Sequence, residues 1–165
     1  MSDVIVGVII GGSLTFISGF IIESFKQKKE KKKFKKEKIE KLYFEYLNWV
    51  KSISRIYSLF IYYIELGNTI EEARRKVADA EEKNGFIKNS NENNIIFLMN
   101  LYFPELNSKF EEINDLSAEL ASSLMDNNIK NLNIEDFKKT YTDFLENIEK
   151  FKKDIISLSN RIGRC

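Results

Sequence analysis

Ten of the sixteen residues from 26 to 41 are lysine, in the run KQKKEKKKFKKEKIEK. Ammonium groups at that density attract anions without breaking bonds. Lys26, Lys28, Lys29, Lys31, Lys32, Lys33, Lys35 and Lys36 are the candidates for contact with anionic lipid headgroups. A lysine near such a surface contributes about 1 kcal/mol. The run also reads as a topology signal, which needs no ligand. A nucleic-acid reading is weaker: Phe34 is the only aromatic in the run, no RNA- or DNA-binding motif accompanies it, and nucleic acid is not an expected partner. A bias toward Lys and Asn codons would enrich lysine here without any function.

Bond-making chemistry is harder to find. The chain has no histidine, which excludes His-based triads, His-metal sites and a His general base. The single cysteine, Cys165, excludes an intrachain disulfide and a multi-cysteine metal site. It lies too close to the end for a prenylation signal. The adjacent carboxylates Glu71/Glu72, Glu81/Glu82 and Glu111/Glu112 fall on polar faces and read as solvated. No G-x-S-x-G occurs, and Gly11-Gly12 sits in an apolar run that suits no phosphate loop. The expectation is a protein that is not an enzyme and takes no cofactor or metal.

The net charge of +1 conceals a division. Residues 1–41 carry ten Lys against five acids, or +5, and residues 42–165 carry sixteen Lys and Arg against twenty acids, or −4. Within the first part, Val4–Ile22 (VIVGVIIGGSLTFISGFII) is uncharged over 19 residues. As a helix it spans about 28 Å, close to the ~30 Å hydrocarbon core of a bilayer. A signal peptide wants a basic segment before its apolar run and a small-x-small site after it. Only Met1, Ser2 and Asp3 precede this run, and no such site follows. A buried core helix would not lead into dense lysine. A transmembrane helix is therefore expected, in the cell membrane. The basic flank places the N-terminus outside and residues 26–165 inside.

Gly7, Gly11, Thr15 and Gly19 recur every four residues along this run. Small residues at that spacing let two helix backbones approach closely, so self-association into a homo-oligomer is expected. The run holds no charge, which argues against a proton relay or transporter site. Several copies with Ser13, Thr15 and Ser18 turned inward would line a narrow pore.

The elements that position these residues read as helices throughout. No Gly or Pro occurs from Phe20 to Leu66, so the first helix runs on through the lysines. Ile39, Tyr43, Tyr46, Val50, Ile53, Tyr57, Phe60 and Ile64 form its apolar row, widened by Leu42, Trp49, Ile56 and Tyr63, with Gly67 as the stop. Tyr62 and Tyr63 cannot both face inward. Thr69 and Glu72 form a capping box that opens a helix from Ile70 to Lys83. Residues 84–94 read as a loop. A third stretch, Ile95 to Met125, carries Leu106, Phe110, Ile113, Leu120 and Leu124 inward, and Pro104 breaks or kinks it. Asn133 caps a last helix whose inner face runs from Ile134 to Ile162 in unbroken three-four spacing, with Gly163 ending it. The expected fold is all-α: an anchor over 1–25, a basic juxtamembrane helix over 26–41, and a cytoplasmic antiparallel bundle of about four helices over 42–165.

The segments IIGGSLTFISG, EKLYFEYLNW and LYFPEL resemble a loose group of bacterial single-pass membrane proteins with helical cytoplasmic tails. Some similar small proteins are phage-defence effectors that open a membrane pore. The resemblance implies the architecture and transfers no catalytic residue. Two functions are thus in view: a membrane-anchored adaptor or scaffold with a cytoplasmic protein partner, and a pore-forming effector gated by the bundle.

Overall fold

The structure is a computed structural model that describes residues 2–85, 92–125 and 132–164, with side chains from 23 to 163. Among the described residues every regular element is helical: α1 (Ser2–Glu65), α2 (Ile70–Asn84), α3 (Glu92–Tyr102), a 3-10 turn (Pro104–Leu106), α4 (Asn107–Met125) and α5 (Ile134–Arg164). No helix among them is long and apolar enough to cross a membrane. The transmembrane expectation concerns Val4–Ile22, whose side chains lie outside the described residues. What the structure supports is the coarser architecture, an all-helical chain with a packed bundle.

α1 is one unbroken helix of 64 residues; the absence of Gly and Pro from Phe20 to Leu66 permits its course through the lysine run. Its end is a Schellman turn: Gly67 adopts φ +84°, its amide donates to the Ile64 carbonyl at 2.9 Å, and the Asn68 amide donates to Tyr63 at 3.2 Å. The Thr69–Glu72 box forms in full. The Glu72 amide donates to the Thr69 hydroxyl at 3.3 Å and the Thr69 amide donates to the Glu72 carboxylate at 2.9 Å. The Thr69 amide and hydroxyl, both donating to the Glu72 carboxylate, hold that carboxyl below its ordinary range, with nearby Lys76 and Arg75 adding to the effect. α2 ends one residue beyond Lys83, with Gly85 left-handed.

Pro104 does split the third stretch. Phe103 leaves the helix at φ −142°, and Pro104 opens a 3-10 turn before α4. The bundle therefore gains a helix over the expected four. α3 also begins earlier, at Glu92, which shortens the expected 84–94 loop; residues 86–91 lie outside the described residues. Asn133 caps α5 as expected, its side-chain oxygen accepting from the Glu135 amide at 3.0 Å. Gly163 does not end α5, which continues through Arg164. A glycine costs a helix only about 1 kcal/mol, and α5 is held by packing along its whole inner face.

α1 is the post against which α2, α3 and α5 pack, and α4 closes over α5. α5 runs antiparallel to α1: Tyr46 meets Ile148 and Phe151, Tyr141 meets Ser54 and Ser58, and Lys138 pairs with Glu65. α3 is antiparallel too, from Asn94 at Glu45 to Tyr102 at Phe34. Trp49 occupies the centre, with Phe110 of α4 at 5.3 Å and Phe144 of α5 at 6.2 Å between ring centroids. The buried line of α1 is Ile39, Leu42, Tyr46, Trp49, Ile56, Tyr57 and Phe60, while Tyr43, Val50, Ile53 and Ile64 lie partly buried beside it. The seam is thus turned toward what the sequence offered as the second row. Three helices crowd one face of α1, so its middle, not either row, is covered most. Tyr62 is exposed and Tyr63 packs against the core.

Candidate functional site

The expected site residues divide at residue 23. Gly7, Gly11, Ser13, Thr15, Ser18 and Gly19 all lie on α1, and their side chains are outside the described residues. Helix geometry alone sets one thing about them. Each four-residue step advances roughly 40° around the axis, so the Gly7–Gly19 stripe winds about 120° over its length.

The lysines are described. Lys26, Lys28, Lys29, Lys31, Lys33, Lys35 and Lys36 are exposed, and Lys32 is half-buried. The run is not uniform around its circumference. Lys28, Lys32 and Lys35 stand at i, i+4 and i+7, which is one helical face. Opposite them lies the C-terminal end of α5, brought there by its antiparallel course. The three lysines, with Leu158, Arg161 and Ile162, line an open cleft of about 510 Å³. Its floor is apolar, its rim carries four cations, and no carboxylate lines it. The one ion pair of residues 26–41 among the described residues is Lys36–Glu40 at 3.9 Å, outside the cleft.

Arg161, Leu158 and Ile162 were not among the expected site residues. The signal for them was present: short connections favour antiparallel neighbours, and antiparallel α5 must end beside the lysines. A second, separate groove of about 430 Å³ lies between α1 and α5 beside Ile39, Glu40, Tyr43, Phe44 and Ile156. Phe44 is 65% exposed there, and Phe25 and Phe34 are also exposed on α1. Phe34 meets Tyr102 edge-on at 5.6 Å, and the Lys38 ammonium lies over both rings. That contact seats the α3 corner against the lysine run.

Tyr57 donates to the Ser117 carbonyl at 2.7 Å, and burial pushes its phenol up, with the hydrogen bond to the Ser117 hydroxyl at 3.1 Å opposing. Burial and the Glu149 charge push the Tyr46 phenol far above its usual value. The pair Glu111/Glu112 is exposed and Glu72 is engaged at the α2 cap, but Glu81, expected to be solvated, is partly buried. Among the described residues no group of three or more His, Cys, Asp and Glu is placed to hold a metal ion. Cys165 lies outside the described residues.

Comparison with known proteins returns no matching family model, no matching curated protein and no matching solved structure.

Proposed function

We propose that the chain is a non-enzymatic membrane-anchored scaffold. Val4–Ile22 crosses the bilayer once, the lysines sit at the inner surface, and the bundle faces the cytoplasm. Copies associate through Gly7, Gly11, Thr15 and Gly19, and the bundle presents its faces to a protein partner.

One observation supports this reading above the others. α1 is continuous from Ser2 to Glu65, about 96 Å at 1.5 Å per residue. Among the described residues it meets α3 from Phe34 onward, at Tyr102. The uncharged run Val4–Ile22 extends beyond that level on the same rod. Nineteen uncharged residues in one helix favour an apolar medium or another copy, and their length matches a bilayer. The lysines then fall where the headgroups begin.

Gel filtration in mild detergent tests the association. The wild-type chain runs as an oligomer, and Gly7→Ile with Gly11→Ile moves it to lower mass. An unchanged mass removes the small-residue stripe as the contact. A potential-sensitive dye separates the scaffold from a pore formed by Ser13, Thr15 and Ser18. Expression of a scaffold leaves the membrane potential intact, and depolarisation that depends on those hydroxyls overturns it.

A further inference from the structure

We infer that the outer edge of the α1–α5 seam is a two-fold contact between copies of this chain, in which Phe44 of each copy packs against Ile156 of the other. This rests on the membrane-anchored reading above and names the surface by which the bundle itself joins the assembly. Phe44 is 65% exposed and Ile156 is 43% exposed. They stand on different helices yet line one groove, with the buried Ile39 and Ile155 beside them. Ile156 also borders a hollow of about 360 Å³ on α5, with Lys153, Asn160 and Arg161. Apolar ridges beside hollows are what one helix needs to pack on another.

Charge and symmetry select the occupant. The α1 edge of this surface carries Glu40, and the α5 edge carries Lys153 and Arg161. Neither cation is in an ion pair among the described residues. Glu40 has only Lys36 of its own helix, at 3.9 Å between exposed side chains, which is a weak hold. Copies anchored by the same segment stand parallel, and a two-fold axis along the membrane normal keeps every residue at its own height. Such an axis lays the α1 edge of each copy on the α5 edge of the other. Phe44 and Ile156 then meet twice, once on each side of the axis. Glu40 lines the groove with Ile155, Ile156 and Ser159, so its level falls between Lys153 and Arg161 of the second copy. An acidic edge beside a basic edge at one level is self-complementary.

Position along α1 agrees. Phe44 follows Thr15 by 29 residues, about eight helical turns, and Gly19 by 25, about seven. The three positions lie on one side of the helix, so the contact continues the proposed pairing of the anchors. Lys26 and Lys33 stand between them on the same line, and their long stems let the charges turn aside. The contact is distinct from the small-residue stripe, because half of it comes from α5 and exists only when α5 is docked on α1.

The test captures one tagged copy with a differently tagged one in mild detergent. It uses the full chain carrying Gly7→Ile and Gly11→Ile, so that the stripe does not mask the result. This chain still captures itself, and Phe44→Ser lowers the yield about tenfold. Phe97→Ser, equally exposed but on α3, leaves it unchanged. Glu40→Lys sets like charges opposite one another at both symmetric places, as does Lys153→Glu with Arg161→Glu, and each lowers self-capture about tenfold. Mixed together, those two chains oppose unlike charges at both places and capture each other at the unaltered level. All the altered bundle positions are exposed, and unchanged unfolding midpoints by circular dichroism show that the variants fold. Absent self-capture, an inert Phe44→Ser, or swapped chains that fail to capture each other would each overturn the contact. Carbonate washing of the same membranes reports the anchor separately. A chain that stays in the pellet but fails these tests sinks the contact alone. A chain released into the wash removes the parallel arrangement, and the contact with it.

Discussion

The Tyr46 hydroxyl donates to the Ile148 carbonyl oxygen at 3.0 Å, across 102 positions of sequence. The bond fixes the register of α5 on α1, and its geometry is set from within the core: the Tyr46 ring packs on Phe151 at 4.9 Å and stacks with Trp49 at 6.1 Å. That register decides which residues of α5 lie opposite the lysines.

Removing the hydroxyl alone has a modest cost. Tyr46→Phe keeps the ring packing and loses one buried hydrogen bond, so it lowers unfolding stability by about 1 kcal/mol. Urea denaturation followed by Trp49 fluorescence measures it. A loss several times larger would mean that the ring itself has moved.

Trp49 carries more. It is 1% exposed and contacts aromatic rings of α4 and α5 as well as its own helix. Trp49→Ala leaves a cavity where three helices meet and costs about 3–5 kcal/mol. Circular dichroism during urea denaturation gives the value. A cost under 1 kcal/mol would contradict the central placement of this side chain.

Alkaline pH unfolds the bundle through its buried phenols. Tyr46 and Tyr57 both have raised pKa values, for which burial is the largest cause. Above about pH 10 the unfolded chain releases these protons and the folded chain keeps them. The unfolded state then binds fewer protons, so stability falls as pH rises, by at most about 1.4 kcal/mol per pH unit for each tyrosine. Below pH 10 their contribution is fully present. Tyr57→Phe reduces the slope, and a slope unchanged by both Tyr→Phe variants would refute the assignment.

The α2 cap responds at the other end of the scale. The Glu72 carboxyl is held below its ordinary value, chiefly by the Thr69 amide and hydroxyl. Its contribution is present above the ordinary carboxylate pKa and is lost as pH falls through the lowered one. Thr69→Ala costs about 1 kcal/mol at neutral pH. Glu72→Gln flattens the acid dependence of α2 protection in hydrogen exchange, and an unaltered acid profile would exclude Glu72 as its source.

Much of this fold could be read directly. The face from Ile134 to Ile162, the Thr69 box, the Gly67 turn and the Pro104 break are local signals, and each reappears in the helices. The rotation of the α1 seam toward Leu42 and Trp49 was not legible, because two apolar rows on one helix leave its neighbours to choose between them. The cleft was half legible. Its lysines stand out in the sequence, but Arg161 is unremarkable until α5 is laid antiparallel on α1. The Gly7–Gly19 stripe remains a statement about spacing on a helix.

The central claim is that Val4–Ile22 anchors the chain in a bilayer. Washing isolated membranes with alkaline carbonate tests it most directly, since this strips proteins held by charge and leaves those held by a spanning segment. The account predicts that the full chain stays in the membrane pellet and that Val8→Lys with Ile10→Lys releases it. Release of the unaltered chain into the wash would contradict the anchor and leave the lysine run as a surface contact alone.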